Sequence, residues 1–426
     1  DMGAIGLMTT NTGGSLSQNN SYLTIGTGAR VTGVPGSQQA ISYGHQYRGD
    51  RIENLIYQIS GHKMNEGAVG NPSIAKLHRG NANRPYKVNI GALGTVLREA
   101  GLKTAVLGNC DKYKRLHEDG GGNNFLVSMV MDDRGIVSLG DVTQSLIIED
   151  ASWPMGIRTD YDKMLEAYKE LEDQAHVIAM QLGDTSRAEH FRHQSMDSRV
   201  EYHKIRALEE GDKFVGNILE QFDPSQDYMM VLSPVPPAEE IGNNNRLSPI
   251  IMAGKGIQKG WLTSGSTHRE GVVTNLDIGA SILNCFELRP LPGQGGAPIY
   301  SIDKGAGIEE IVEFNAKLAE IYNHRPFLLR SYVYVLIPIL ALAALCLLFK
   351  RKYLRLIKPM LVFIMTIPLV YLILPLLQQP QLYKTVIIGL ALAILVTVIL
   401  CRVFESTIDR IMVISTLMTL TLLIDQ

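Results

Sequence analysis

The side chains able to do chemistry fall into a few short clusters. Asp132 and Asp133 stand together in "MDDRG", where two carboxylates would hold a cation, although the Asp-Arg-Gly order equally describes a hairpin tip. "GGGNN" (Gly120 to Asn124) and "GNNN" (Gly242 to Asn245) have the composition of a phosphate cradle. Neither runs on to the Lys-Ser/Thr of a P-loop, so both read as turns. The four cysteines, Cys110, Cys285, Cys346 and Cys401, are far apart and form no CxxC or Cys/His cluster, which supports neither a zinc site nor a disulfide framework. "SYLTIGTGAR" (Ser21 to Arg30) is stranger, because its hydroxyls and glycines are too polar for a core strand and too ordered for a linker.

The elements that must position such residues follow from hydropathy. From about residue 88, short apolar strands alternate with amphipathic helices, the pattern of a mostly parallel sheet flanked by helices, and the expected fold class is α/β. "NIGALGTVLREAGL" spaces Leu93, Val96, Leu97 and Leu102 for a helix that Gly101 stops, and "KTAVLGNCD" follows as a buried strand. "DYDKMLEAYKELEDQ" with "AHVIAMQLGD", and "RVEYHKIRALEEGDKFVGNILEQF" with "DYMMVLSPVPP", repeat the unit. "SPIIMAGKGI" and "NLDIGASILNCF" close the series, while "NFLVSMVMDDRGIVSLGD" reads as an inserted hairpin. In an open parallel sheet, function is expected at the carboxyl ends of the strands.

Near residue 331 the composition changes. Ser331 to Phe349, Met360 to Leu377 and Thr385 to Leu400 are apolar runs of about the length that crosses a hydrocarbon core, and Ile411 to Ile424 reads as a truncated fourth. Three expected divisions result: residues 1–292 as an extracytoplasmic domain, 293–330 as linker and juxtamembrane helix, and 331–426 as a membrane region with at least three full spans. Lys350, Arg351, Lys352, Arg355 and Lys358 after the first run, against Lys384 after the second, place the first loop in the cytoplasm and residues 1–330 outside it, in a multi-pass protein of the cell membrane. The lipid bilayer is the first expected partner. A net charge of -2 supplies no electrostatic reason to expect nucleic acid. The sequence opens without Met and ends in an apolar run, which reads as an excerpt of a longer protein.

In their order, "LGTVLREAGLKTAVLGNCD", "VIAMQLGDTSRAEH", "SPIIMAGKGI" and "VVTNLDIGASILNCFEL" resemble the alkaline phosphatase superfamily, which includes sulfatases, nucleotide pyrophosphatases and phosphoglycerate mutases. "YLTIGTGAR" resembles the segment that follows the nucleophile there, and the likeness covers most of residues 3 to 290. The resemblance implies attack by a Ser or Thr hydroxyl on phosphorus or sulfur, with two metal ions clamping the attacking and leaving oxygens. It makes Ser17 the nucleophile, with Ser15 and Ser21 behind it; by composition alone the same run is a solvated Ser/Asn/Gly loop. Arg30 then either meets a phosphate or sulfate oxygen or ties the loop down.

For metal, the resemblance implies a first Asp on a strand expected upstream of Asp1, and an Asp-x-x-x-His that Asp184 begins correctly but whose histidines, His190 and His193, come late. Asp184 and His190 are the candidate ligands for Zn, Mn or Mg; Thr185, Ser186 and Arg187 equally make "GDTSRAE" an ordinary N-cap and salt-bridging turn. An Asp-His pair expected at the next strand tip is replaced by Ser233-Pro234, a poor donor set. His268 falls near a late ligand position and also suits a plain surface site. Two functions follow as expectations: hydrolysis or transfer of a phosphate or sulfate ester, with an envelope glycopolymer or phosphoester as substrate, or a catalytically inactive module for binding or assembly in the cell envelope.

Overall fold

The computed structural model describes residues 3–114, 121–305, 307–349, 354–374 and 381–424. Lys350, Arg351 and Lys352 of the basic loop, residues 375–380 and Gly120 lie outside the described residues. The chain divides into two units, Asp1–Ile311 and Val312–Gln426.

In the first unit the elements that bear on the site are, in chain order, β1 (Gly3–Thr9), α1 (Gln18–Thr27), α2 (Ala92–Glu99), β2 (Thr104–Leu107), α3 (Val127–Val130), β3 (Leu139–Asp141), β4 (Ile157–Thr159), β5 (Val177–Met180), α4 (Gly183–Phe191), β6 (Tyr228–Leu232), β7 (Leu247–Gly254), β8 (Gly260–Ser264), β9 (Val272–Thr274), α5 (Asn275–Cys285) and β10 (Ile299–Ile302). The strand that feeds the Ser17 loop is β1. It sits inside a sheet ordered β6-β7-β1-β8-β10, with β9 also on β1. A second sheet, β5-β2-β3, is parallel throughout.

The class is mixed α/β, but the expected dominance of parallel pairing is not met. Among the described residues the parallel ladders are β1 with β8, β1 with β9, β2 with β5 and β2 with β3, and antiparallel ladders outnumber them. The cause is connection length. Only Lys255 to Lys259 join β7 to β8, too short for a helical crossover, so these strands run in opposite directions. β8 is parallel to β1, so β7 is antiparallel to it, in the register Ile5 to Ile251. The expected hairpin around Asp132 is also absent from this region: its first half is helix α3, and Ile136–Val137 pairs with Val69–Gly70. Asp132 accepts from the Arg134 and Ile136 backbone N–H groups and ion-pairs with Arg98 and Arg134, so its carboxylate is already engaged. β10 pairs with β8, which moves Ile299–Ile302 from the expected linker into the sheet.

"SYLTIGTGAR" becomes α1 and its cap. Every residue from Asn20 to Thr27 is buried, so the helix lies in the interior with neighbours on all sides, and small polar residues let them come close. A Cβ on Gly26 would meet the Met129 carbonyl oxygen at 2.3 Å, and one on Gly279 of α5 would meet the Ile25 oxygen at 2.9 Å. Gly28, at φ 64, ends the helix in the left-handed conformation and donates to Thr24 and Ile25.

The second unit holds α6 (Ile308–Phe349) from Val312 onward, α7 (Leu354–Ile373), α8 (Leu382–Val403) and α9 (Thr407–Ile424). α6 and α8 are long and apolar enough to cross a membrane, and Ile357–Ile373 of α7 is a shorter apolar stretch. The expected juxtamembrane helix and first span are one continuous helix of 42 residues. α7 meets α8 where the buried hydroxyls of Thr366 and Thr397 lie 3.2 Å apart and Thr397 also bonds the Ala393 carbonyl. Arg410 donates to the Phe404 carbonyl beyond the end of α8.

Close approach at Gly26 sets an expected outcome. Ala at an exposed helical Gly gains up to about 1 kcal/mol, yet Gly26→Ala loses about 1–3 kcal/mol through overlap with Met129. Gly216, exposed in its helix with nothing near its Cβ, is the control: Gly216→Ala raises the melting temperature of the full chain while Gly26→Ala lowers it.

Candidate functional site

Strand β2 ends at Leu107 and runs into Gly108-Asn109-Cys110-Asp111, beside β5 and its continuation into α4. The two backbones meet closely: a Cβ on Gly108 would lie 2.4 Å from the Gln181 oxygen, and one on Gly183 would lie 2.5 Å from the Asn109 oxygen. Asp184 opens α4, where a helix dipole favours a carboxylate. Arg187, three residues on, shares its face.

Arg187 is 1% exposed and all of its donors are met. Nε and Nη2 donate to Asp184 Oδ1 at 3.2 and 2.9 Å, Nη2 also to Thr159 Oγ1 at 2.7 Å, and Nη1 to the Asn109 and Asp111 carbonyls at 3.1 and 3.0 Å. Those bonds use the full guanidinium complement of N–H groups. The Thr159 backbone N–H completes the cluster by donating to Asp184 at 3.0 Å. One buried guanidinium thus joins the carboxyl ends of β2, β4 and β5.

In this geometry the Asp184 carboxylate is already paired. A divalent cation needs oxygen and nitrogen lone pairs that are not already held by a positive neighbour. Asp184 gives its carboxylate to Arg187 and Thr159. His190 stands apart, its Nδ1 2.9 Å from Lys112 Nζ, a group that can only donate. Burial first, and then the charges of Lys112 and His193, hold the His190 pKa below the ordinary histidine value. The residues present do not fit the cation the resemblance implies. Ser233 Oγ donates to the Val235 carbonyl, the Pro234 carbonyl accepts from Thr10, and His268 is exposed at φ 48.

Ser17 is the N-cap of α1, with Oγ accepting from the Asn20 N–H at 3.4 Å. Asn20 is the side chain that shapes its loop: Nδ2 donates to the Ser15 carbonyl at 2.7 Å and Oδ1 accepts from Gly33 N at 2.7 Å. Asn275 exchanges two bonds with the Asn11 backbone, at 2.9 and 3.0 Å, and so anchors the carboxyl end of β1. Arg30 is exposed, and what it offers the loop is its carbonyl, which accepts from Tyr86. The arginine that ties the loop down is Arg84, through the Gly13 carbonyl and Thr32. Ser17 and the Asp184 cluster share no hydrogen-bond partner among the described residues. Arg84, Asn20 and Asn275 escape sequence reasoning, whereas Arg187 belongs to the salt-bridging turn that the sequence offers beside the metal site, its i,i+3 spacing from Asp184 being the local signal.

Two outcomes are expected. Arg187→Met strands a buried carboxylate and costs about 3–5 kcal/mol in thermal or denaturant unfolding of the full chain, whereas Arg187→Met with Asp184→Asn recovers part of that loss. Cys110 adjoins the cluster, and burial pushes its thiol up to about 12, with Arg187 pulling it down and Asp184 and Asp111 pushing it up. The folded value is above the unfolded one, so the thiol contribution to stability is complete below the ordinary cysteine range and is lost as pH rises through and beyond it. Because Cys285 is exposed and Cys110 buried, at pH 8 a maleimide labels Cys285 in the native chain, slowly since partial burial pushes its thiol up to about 11, and reaches Cys110 after unfolding. Comparison with protein-family models, with curated proteins and with solved structures finds no match to this chain, so its site is read from its own geometry.

Proposed function

We propose that this chain is a membrane-anchored module on an alkaline phosphatase-like scaffold that binds or assembles in the cell envelope and does not hydrolyse esters. The observation that carries the reading is Arg187: its guanidinium neutralises Asp184 from within the fold, where a metal site would need that carboxylate open. A metal ion lowers the pKa of an attacking hydroxyl and clamps the reacting oxygens. A guanidinium buried to 1% exposure neutralises charge but reaches no substrate. Ser17 supports the same reading, since its hydroxyl is engaged as a helix cap.

The anchor proposed is multi-pass. α6 to α9 would each contribute a span, with the basic residues after α6 on the cytoplasmic side and residues 1–330 outside, facing an exported glycopolymer or lipid-linked phosphate. One observation favours the competing reading, hydrolysis of a phosphate or sulfate ester by Ser17 with Zn, Mn or Mg. Ser17 stands at the amino end of α1, in the loop directly after central strand β1.

Turnover separates the two. The full chain in detergent is assayed against p-nitrophenyl phosphate, its diester and the sulfate, with each metal added in turn. The expected rates equal those of Ser17→Ala; metal-dependent turnover that Ser17→Ala removes would replace the module reading with the enzyme one.

A further inference from the structure

A surface cavity of about 440 Å³ opens beside the hairpin in which Gln46–Tyr47 pairs with Asp50–Arg51. It shares no residue with the Arg187 cluster or the Ser17 loop, so a ligand bound there is independent of the proposed function. Its volume lies within the range of small-molecule sites. The polar lining is Gln39, Tyr47, Arg48, Asp50, Ser73 and Lys76, and Leu55, Ile59 and Pro72 supply apolar surface.

Arg48 and Lys76 set two positive charges against the one of Asp50, and none of the three forms an ion pair with another described side chain. An anion is therefore favoured, but one with more to it than charge. Asp50 repels a bare anion and accepts from hydroxyl donors. Tyr47 donates to Gln39 Oε1 at 2.6 Å, which leaves the Gln39 NH2 to donate elsewhere. Carboxylate, amide and hydroxyl beside aliphatic surface suit a sugar ring, whose hydroxyls both donate and accept while its C–H face is apolar. A nucleobase fits less well, because the Arg48 guanidinium already lies over the Tyr47 ring, 5.3 Å from its centroid.

The backbone at Arg48 is a second, independent pointer to a ligand. Arg48 and Gly49 are the two loop residues of the hairpin, with φ 55 and 92. Two positive φ angles in a two-residue hairpin loop call for Asn-Gly or Asp-Gly. An arginine there is strained, and strained residues gather at ligand sites. We infer that this cavity binds a saccharide unit carrying one phosphate or carboxylate, with Arg48 and Lys76 on the anionic group.

The test is calorimetric titration of the full chain in detergent with glucose 6-phosphate, glucuronate, glucose and inorganic phosphate. The expected result is that glucose 6-phosphate or glucuronate binds at least about tenfold more tightly than either glucose or inorganic phosphate. Arg48→Asn and Lys76→Gln each weaken that binding about tenfold, and Arg48→Asn at the same time raises the melting temperature, because Asn tolerates the left-handed turn. Equal binding of glucose or of inorganic phosphate, no heat with any of the four, or an Arg48→Asn chain that keeps its affinity or melts lower would each overturn the inference. Ester turnover by Ser17 would retire the non-catalytic reading and leave this one standing.

Discussion

Taking a guanidinium out of water costs several kcal/mol unless every N–H finds an acceptor, and the first unit is arranged around meeting that demand at Arg187. Its acceptors come from positions 3, 28, 76 and 78 residues away in the chain, so no local segment can supply them. They become available together when the carboxyl ends of β2, β4 and β5 are side by side. Close packing there follows from the same demand. Gly183 lacks a Cβ because one would lie 2.7 Å from Arg187 Nη2 as well as against the Asn109 oxygen. The surroundings are correspondingly dry: burial raises the titration of Tyr161 as well as that of Cys110.

A second set of buried polar groups holds the larger sheet to its helices. Asp277 is fully buried with no cation beside it, yet it accepts from Ser264 Oγ, Thr274 N and Ala297 N, at 2.7, 2.8 and 3.0 Å. A carboxylate satisfied by donors alone is stable in the interior when each oxygen is bonded. Through it α5 is joined to β8, β9 and the segment that leads to β10. Asn275 beside it reaches the loop after β1, and Asn20 reaches the far side of that loop. The Ser17 loop is thus held by amides and by Arg84, which explains how a Ser/Asn/Gly run keeps one shape.

The second unit solves the polar-group problem differently. Its residues lie mostly in helices, whose backbone groups bond to one another except where Pro326, Pro338, Pro359 and Pro368 lack the N–H. Thr366 and Thr397 use their hydroxyls between α7 and α8 and onto nearby carbonyls. Arg410 meets the carbonyls that follow α8. One chain therefore carries two interiors: one in which buried charge is matched bond for bond, and one in which threonine hydroxyls meet.

Hydropathy by itself located the apolar runs after residue 331 and most of the strand and helix positions after residue 88, because burial leaves a periodic trace in the sequence. The short link from Lys255 to Lys259 also contained the antiparallel turn of β7, although the expectation of a parallel sheet passed over it. What no local pattern carries is the partner of a side chain. Asp184 reads alike as a metal ligand and as half of an ion pair, since both need a carboxylate at a helix start. Only the folded chain, by placing Asn109, Asp111 and Thr159 around Arg187, decided for the ion pair. The same holds for "SYLTIGTGAR": the sequence showed its likeness to a segment that follows a nucleophile, and it took α3 and α5 pressing on Gly26 and Ile25 to show why its residues are small.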